Sequence, residues 1–213
     1  ALLKIRGNTY TVPLNIHRGN VMWTNTRVLE EAGVAVPASF DEFFAACEQL
    51  KAAGKVPLGM GITDGFEMGH TFEVVLVGTV GYEKNAGLWN GTVSWSDPAV
   101  AEALENFGKV LDCTNEDRGT INWVGGIDLV INDQAAFNIM GDWAFGEVIK
   151  KDALDYVTWN SPPGNDGIFF LVSDGFAVTK EAPNPENARE FVKIMTRKDA
   201  QENFNKNKGS ICA

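Results

Sequence analysis

The sequence predicts a layered α/β fold, because predicted strands and predicted helices alternate along the chain. Hydrophobic residues make up 45% and charged residues 22% of the 213 residues, an ordinary composition for a globular protein. A chain of this length buries enough apolar surface to form a core without metal or disulfide cross-links. We therefore expect one large α/β domain, or one lobe and part of another.

The N-terminal segments show an extended stretch followed by two helices. Residues 7–18 alternate and are rich in β-branched residues, which predicts an extended segment. Residues 25–34 predict a short helix that stops at Gly33. Ser39 is the expected N-cap of a longer helix over residues 40–54, whose first turn is acidic. The apolar face of this longer helix consists of Phe43, Phe44, Cys47 and Leu50.

The middle of the chain continues with a strand and two helices. Residues 56–62 predict a short buried strand. Residues 70–81 fit a helix or a strand by periodicity, and their length favours a helix. Residues 97–112 predict a helix, with Asp97 as the N-cap and Pro98 at the first helical position.

The C-terminal half repeats the alternation of helices and strands. In order, we expect a short helix over 125–134, a strand over 135–140, a helix over 143–153, a strand and turn over 155–163, a strand pair or bent strand over 167–178, and two helices over 184–209 that meet near Thr196. No internal repeat or low-complexity linker interrupts this order.

The charge of the chain excludes two classes of partner. The formal net charge is −10, and no basic run is present, so we expect the chain to repel nucleic acid and anionic membranes. The sequence as printed shows no signal peptide and no apolar stretch long enough to cross a bilayer. We therefore expect it to be soluble, and its abrupt start suggests a processed or truncated product.

Cysteines and histidines give no metal or catalytic pattern. Cys47 lies on the apolar face of a predicted helix, so we expect a buried free thiol. Cys113 and Cys212 could pair in an oxidising compartment, although spacing alone does not show that they meet. His17 and His70 have no partner at metal-ligand spacing. Phosphate-binding and nucleophile motifs are missing as well, so we expect no metal, no cofactor and no enzyme activity.

Tryptophans at predicted element ends indicate a ligand surface. Four of the six tryptophans fall in loops or at element ends: Trp89, Trp95, Trp123 and Trp143. An indole face in such a place can stack on a sugar ring, whose hydroxyls then need charged or amide partners. Asp142 directly precedes Trp143 where a buried strand ends, so it either caps the following helix or accepts sugar hydroxyls. The two interpretations are compatible.

The other polar candidates each fit either a structural role or a ligand contact. His70 is either a polar residue at a helix start or a ligand contact. Asn15, His17 and Arg18 form a polar cluster directly after residues 10–14 ("YTVPL"), which fits either a surface turn or a binding position. Lys208 fits a solvated charge at a helix end as well as a binding group.

Three stretches together resemble the extracellular sugar-binding proteins of bacterial ABC transporters. They are "YTVPLNIHRGNVMWTNTRVLEEAGVAVPASFDEFFAACEQLKAAGKVPLGMG", "AAFNIMGDWA" and "DGFAVTKEAPNPENAREFVKIMTRKDAQENFNKNKGSI". The family shows a Pro-hydrophobic-Asn crossover, a strand and turn ending in G-D-W, and a K-G-S turn. The order and spacing of these motifs together carry the resemblance. The subgroup resembled binds glucose, mannose or related hexosides.

The resemblance implies a type II periplasmic-binding-protein-like lobe, a layered sheet with flanking helices. Family members have two such lobes, are about twice as long, and close on a sugar by a hinge motion. Relative to them the chain looks incomplete, and Cys212 stands where the family has proline. We expect residues 1–20 to form a crossover or hinge strand, residues 21–175 the carboxy-terminal-type lobe, and residues 176–213 a helical segment that packs on the other lobe in the family.

The resemblance also implies site residues and partners. The implied sugar contacts are Asp142, Trp143, His70, His17, Asn15, Arg18, Ser173, Asp174 and Lys208. The implied partners are a small sugar and an ABC permease, with a complementary lobe or second chain as a further one, in the periplasm or outside the cell. The rival functions are an interaction module without sugar affinity and a glycoside-active enzyme with two carboxylates across a cleft.

Overall fold

A computed structural model of the chain describes residues 4–212 and shows mixed α/β architecture, which confirms the expected fold class. The strands are β1 (Lys4–Ile5), β2 (Asn8–Thr9), β3 (Val12–Pro13), β4 (Asn15–Arg18), β5 (Met22–Asn25), β6 (Val56–Leu58), β7 (Ala135–Ile139), β8 (Val157–Asn160), β9 (Leu171–Val172), β10 (Gly175–Phe176) and β11 (Ile211–Cys212). The helices are α1 (Thr26–Ala32), α2 (Phe40–Ala52), α3 (Glu67–Val80), α4 (Tyr82–Asn90), α5 (Pro98–Asp112), α6 (Trp123–Ile131), α7 (Phe145–Lys150), α8 (Pro185–Met195) and α9 (Lys198–Lys208). In this described range, no helix combines the length and apolar character that crossing a membrane requires.

The chain divides into two compact units. The larger unit consists of Gly19–Phe170 and contains a four-stranded sheet in the order β6-β7-β5-β8. The smaller unit combines the chain up to Arg18 with the chain from Leu171 onward. It contains the short sheets β11-β4-β9 and β10-β3, together with the β1-β2 pair.

Strands β5 and β7 of the larger unit's sheet are buried on both faces, whereas the middle of strand β8 is exposed. Strand β5 runs antiparallel to β7 and β8, and β6 runs parallel to β7. Successive side chains of a strand point to opposite faces. Met22 accordingly joins a core cluster with α1, α2, α3 and α5, whereas Trp23 joins a second cluster with α6 and α7. The result is a layer of helices on each side of the sheet.

Capping residues explain where most of the helices begin or end. Ser39 accepts a hydrogen bond from the Glu42 backbone, and the Glu42 carboxylate reaches back to the Ser39 backbone, which completes a capping box at α2. Asp97 caps α5 through the Ala99 backbone N–H. Gly33 ends α1 in the left-handed conformation, with φ 66°. The helix expected over residues 70–81 is confirmed as α3.

Two elements of the larger unit were not expected from the sequence. Strand β5 is short and buried at all four positions, so it shows no alternation of polar and apolar residues. Helix α4 follows α3 after Gly81, whose φ of 78° separates the two helices. The sequence of α4 has a weak apolar pattern, and Gly87 packs so closely that a Cβ there would lie 2.4 Å from Cγ2 of Val93.

The last two expected helices are confirmed as α8 and α9, and Thr196 is the C-cap of α8.

The cysteine expectations were wrong. Cys47 on α2 forms a disulfide with Cys113 at the end of α5, and Cys212 is a free, exposed cysteine. Cys47 is therefore not a free thiol, and Cys113 does not pair with Cys212. The apolar face of α2 does bury Cys47, as expected, but the same core also contains Cys113. Sequence spacing could not show this, because 66 positions separate the two sulfurs along the chain.

Candidate functional site

Three ring side chains of the larger unit meet at the start of α3. The ring centroids of His70 and Trp143 lie 5.4 Å apart, and Phe66 lies 6.5 Å from each of them. Their interplanar angles, 59° to 69°, exclude face-to-face stacking within the group. We call Phe66, His70 and Trp143 the aromatic cluster. Aromatic groups at these separations attract one another through edge-to-face contacts.

A tight turn before α3 presents two members of the cluster. Gly65, with φ 88°, allows the chain to reverse before Phe66. Oε1 of Glu67 accepts a hydrogen bond from the Asp64 backbone N–H at 3.3 Å, which closes the turn. His70 follows one helical turn later, in α3 itself. The third member, Trp143, belongs to a 3-10 turn, Asp142–Ala144, that begins three positions after the end of β7.

The cluster is accessible on one side and packed on the other. Phe66 is 42% exposed, whereas His70 is only 8% exposed. Trp143 is half-buried because it also packs against the core that contains Trp23. A half-covered indole beside an exposed ring is the type of surface on which the apolar face of a small ligand can stack.

Two buried polar atoms of α3 lack a hydrogen bond within the described chain. They are Nε2 of His70 and Oε2 of Glu67, which is itself fully buried. Burial lowers the pKa of His70 to about 4, although a hydrogen bond with the Gly19 backbone acts in the opposite direction. His70 is therefore neutral near pH 7, and one ring nitrogen remains an acceptor.

This lowered pKa predicts a loss of stability in acid. Below its ordinary pKa of 6.5, His70 takes up a proton in the unfolded chain, but the folded chain resists protonation down to about pH 4. The stabilisation present above pH 6.5 is thus lost as the pH falls towards 4. At about 1.4 kcal/mol per pKa unit, the loss reaches about 3 kcal/mol.

Urea unfolding of the wild type and of His70→Gln measures this loss. Between about pH 7.5 and pH 4, we expect the unfolding free energy of the wild type to fall by up to about 3 kcal/mol more than that of the variant. Equal pH dependence in the two proteins would show that His70 titrates normally.

Asp142 does not occupy the N-cap position that one interpretation assigned to it. It is the first residue of the 3-10 turn, and Gly141 stands at the N-cap position. Helix α7 begins later, at Phe145, with Ala144 in its N-cap position. The expected start of a helix at residue 143 was wrong, because a 3-10 turn intervenes. Asp142 is half-buried and directly precedes Trp143 of the aromatic cluster.

The smaller unit contains the other predicted contacts. Asn15 is fully buried, and its Nδ2 donates to Oδ2 of Asp174 at 2.7 Å. The backbone N–H of Asp174 donates to Oδ1 of Asn15 at 2.8 Å, so the pair is joined in both directions. The Ser173 hydroxyl donates to the Asn15 carbonyl at 2.7 Å, and Nζ of Lys208 lies 3.1 Å from Oδ2 of Asp174.

These contacts set the charge of Asp174. The hydrogen bond from Asn15, followed by the contact with Lys208 and the nearby His17, holds the pKa of Asp174 below its ordinary value, against the opposing effect of burial. His17 is buried on β4, and Arg18 at the end of this strand is half-buried. The structure therefore brings Asn15, Ser173, Asp174 and Lys208 into one network and places His17 beside it.

The predicted contacts thus fall into two groups in different units. Asp142, Trp143 and His70 belong to the larger unit, and the remaining six belong to the smaller one. The sequence patterns did not predict Phe66 and Glu67, which complete the turn at the start of α3. The spacing of Glu67 and His70, three residues apart, was the available signal, since it places both on one side of a helix. Among residues 4–212, no cluster of three or more histidine, cysteine or acidic side chains could hold a metal ion.

Comparison with known proteins identifies what the chain resembles. Residues 1–202 match the family model described as bacterial extracellular solute-binding protein. An uncharacterized ABC transporter extracellular-binding protein of Pyrococcus horikoshii is 34% identical over 95% of the chain and 46% of its own length. A probable sugar-binding periplasmic protein of Mesorhizobium japonicum is 28% identical, over 97% of the chain and 51% of its own length.

Solved structures agree on the fold. A chitin oligosaccharide binding protein superposes with a TM-score of 0.80 at 22% identity, over 99% of this chain and 55% of that one. This likeness confirms the expected periplasmic-binding-protein-like α/β lobe. The chain spans about half the length of the curated relatives it matches.

Proposed function

The chain belongs to the family of bacterial extracellular solute-binding proteins, and on that premise we propose that it binds a sugar for an ABC import system. The proposed role is binding without catalysis, and it takes place in the periplasm or outside the cell. The proposed partners are a small sugar and an ABC permease. The relatives give no support to the further expectation of a complementary lobe from a second chain.

The aromatic cluster is the observation that carries this proposal. Trp143 offers a half-covered indole, the exposed ring of Phe66 extends the same surface, and the buried ring of His70 packs against the indole. The C–H face of a pyranose ring fits such a surface, while its hydroxyls require charged or amide partners. Asp142 directly precedes Trp143 in the chain and is the proposed acceptor for two hydroxyls. We propose glucose, mannose or a related hexoside as the ligand, because the residue patterns resemble that subgroup.

We propose that the second group of predicted residues acts at two crossover segments, of which the first consists of residues 1–20 and the second lies around Ser173 and Asp174. Asn15, His17 and Arg18 lie on the first of these segments, and Ser173 and Asp174 on the second. In longer relatives such segments carry ligand and hinge positions. Lys208 is proposed to support them through its ion pair with Asp174.

The proposed domain organisation follows the same resemblance. We propose that residues 1–20 form a crossover segment, that residues 21–175 form a carboxy-terminal-type lobe, and that residues 176–213 pack on the other lobe in longer relatives. Residues 1–3 and 213 of these ranges lie outside the described residues.

Calorimetric titration with glucose, mannose, galactose and a set of disaccharides tests the function. We expect saturable binding of one hexose or hexoside, and we expect Asp142→Ala to weaken it by about 10- to 30-fold. This range corresponds to a net loss of roughly 1.5–2 kcal/mol, the lower end of what hydrogen bonds to a charged group contribute.

The matched control is Asp155→Ala, which removes an exposed carboxylate of the same unit. This variant should bind like the wild type. Flat titrations with a cooperatively folded wild-type chain would count against sugar binding by this chain. Equal affinity of Asp142→Ala and the wild type would remove Asp142 from the site.

A further inference from the structure

The ring of Trp143 occupies the space that a side chain on Gly141 would need. A Cβ built on Gly141 would lie 2.1 Å from Cζ3 of Trp143, and 2.4 Å from Cε3 and from Cη2. These distances are far below the contact distance of two carbon atoms, about 3.5–4.0 Å. The six-membered part of the indole therefore rests directly on the bare Cα of Gly141.

The backbone at Gly141 does not itself require glycine. Its φ of −67° and ψ of 173° lie in the extended region that every residue adopts. Gly33, with φ 66°, contrasts with it, since that position does favour glycine for its conformation. The observed reason for glycine at position 141 is thus the close approach of the Trp143 ring.

Neighbouring contacts hold the Gly141 backbone in place. Its carbonyl accepts hydrogen bonds from the Trp23 indole N–H at 3.3 Å and from the Ala144 backbone N–H at 3.1 Å. Trp23 is 2% exposed and belongs to the core of the larger unit. A side chain at position 141 would therefore displace the Trp143 ring rather than the backbone, because the interior is close-packed and the peptide is anchored.

We infer that Gly141 is a positioning residue of the aromatic cluster. By omitting a Cβ, it sets the plane of the Trp143 ring, and this plane determines how the indole meets His70 and an incoming sugar. The part of this inference that concerns sugar affinity rests on the proposed function. The part that concerns the orientation of Trp143 rests on the geometry alone.

Gly141→Ala tests the inference, with Gly146→Ala as its matched control. Gly146 lies five residues further along, in α7, and a Cβ built there meets no atom within 4 Å beyond its chain neighbours and the backbone of its own helix. Both proteins are labelled with 5-fluorotryptophan, and the fluorine resonance of Trp143 is assigned with Trp143→Phe. We expect Gly141→Ala to shift this resonance and to weaken sugar binding at least about tenfold, by misplacing a stacking face. Gly146→Ala should leave both unchanged.

A double-mutant cycle tests the inference by urea unfolding, without sugar, and also applies if Gly141→Ala is less stable than the wild type. If Gly141 acts through the indole, Gly141→Ala should lower the midpoint of urea unfolding in the wild type but not in Trp143→Ala. An unshifted fluorine resonance, or an equal loss in both backgrounds, would overturn the inference. If the wild type binds no sugar while the resonance and the cycle behave as expected, the proposed function fails and the positioning role of Gly141 stands.

Discussion

Replacing Cys47 and Cys113 together by alanine is expected to lower the free energy of unfolding by about 4 kcal/mol. The disulfide closes a loop of 66 residues, and a cross-link over a loop of that length removes much of the entropy of the unfolded chain. Both cysteines are at least nine-tenths buried in the core that joins α2, α3 and α5. The variant keeps this apolar environment, so the loss should come mainly from the missing cross-link.

Urea unfolding of the oxidised wild type, the reduced wild type and the double variant measures the effect. The reduced wild type should fall close to the double variant, and Cys212→Ala, which changes an exposed cysteine, should match the oxidised wild type. Thiol titration of the oxidised, unfolded wild type should detect one reactive thiol, since two of the three cysteines are joined. Three reactive thiols, or equal stability with and without the cross-link, would contradict the pairing.

Features that depend on a few neighbouring residues were predictable from the sequence. The capping box at Ser39 and the Asp97-Pro98 start of α5 each involve residues within three positions of one another. The close spacing of these signals explains why α2 and α5 begin where the pattern placed them. The alternation of predicted helices and strands likewise indicated the fold class, because each element could be recognised from its own residues.

Features that depend on distant residues were predicted poorly. The Cys47–Cys113 pair and the network of Asn15 with Asp174, whose members are 159 positions apart, exist only after the chain has folded. The resemblance to a family pointed to Asp174, whereas the residue pattern alone marked Asn15 only as part of a polar cluster that fits a turn or a binding position. Asp142 illustrates a smaller error: a 3-10 turn shifts the start of α7 to Phe145, and periodicity does not resolve such a shift.

Buried polar groups are a further class of structural feature that the hydrophobic pattern of the sequence does not predict. Asn165 is fully buried, and its amide donates to the carbonyls of Val74 and Pro163 while its Oδ1 accepts from Asn20. These bonds tie the segment after β8 to α3 and so support the helix that carries His70. An asparagine in a Pro- and Gly-rich stretch is typical of an exposed turn. Its burial here depends on elements elsewhere in the chain, which the local pattern does not show.

Trp143→Ala is expected to weaken sugar binding by about 100-fold, the largest effect on affinity that the geometry predicts. Removing the indole uncovers roughly 100 Å² of ligand contact, which at about 25 cal/mol per Å² corresponds to about 2.5 kcal/mol. It also removes the ring against which His70 lies, at 5.4 Å between centroids. Trp143→Phe retains a smaller aromatic face and should lose affinity by about tenfold.

Loss of stability must be separated from loss of contact, because Trp143 also packs against the core. Calorimetric titration should therefore be made where urea unfolding shows each variant to be fully folded. Trp95→Ala provides the control, since it removes an exposed tryptophan whose ring contacts Trp89 at 5.1 Å and which lies outside the aromatic cluster. A folded Trp143→Ala protein that binds sugar like Trp95→Ala would mean that the indole only packs against the core, and that the sugar contacts lie elsewhere in the chain.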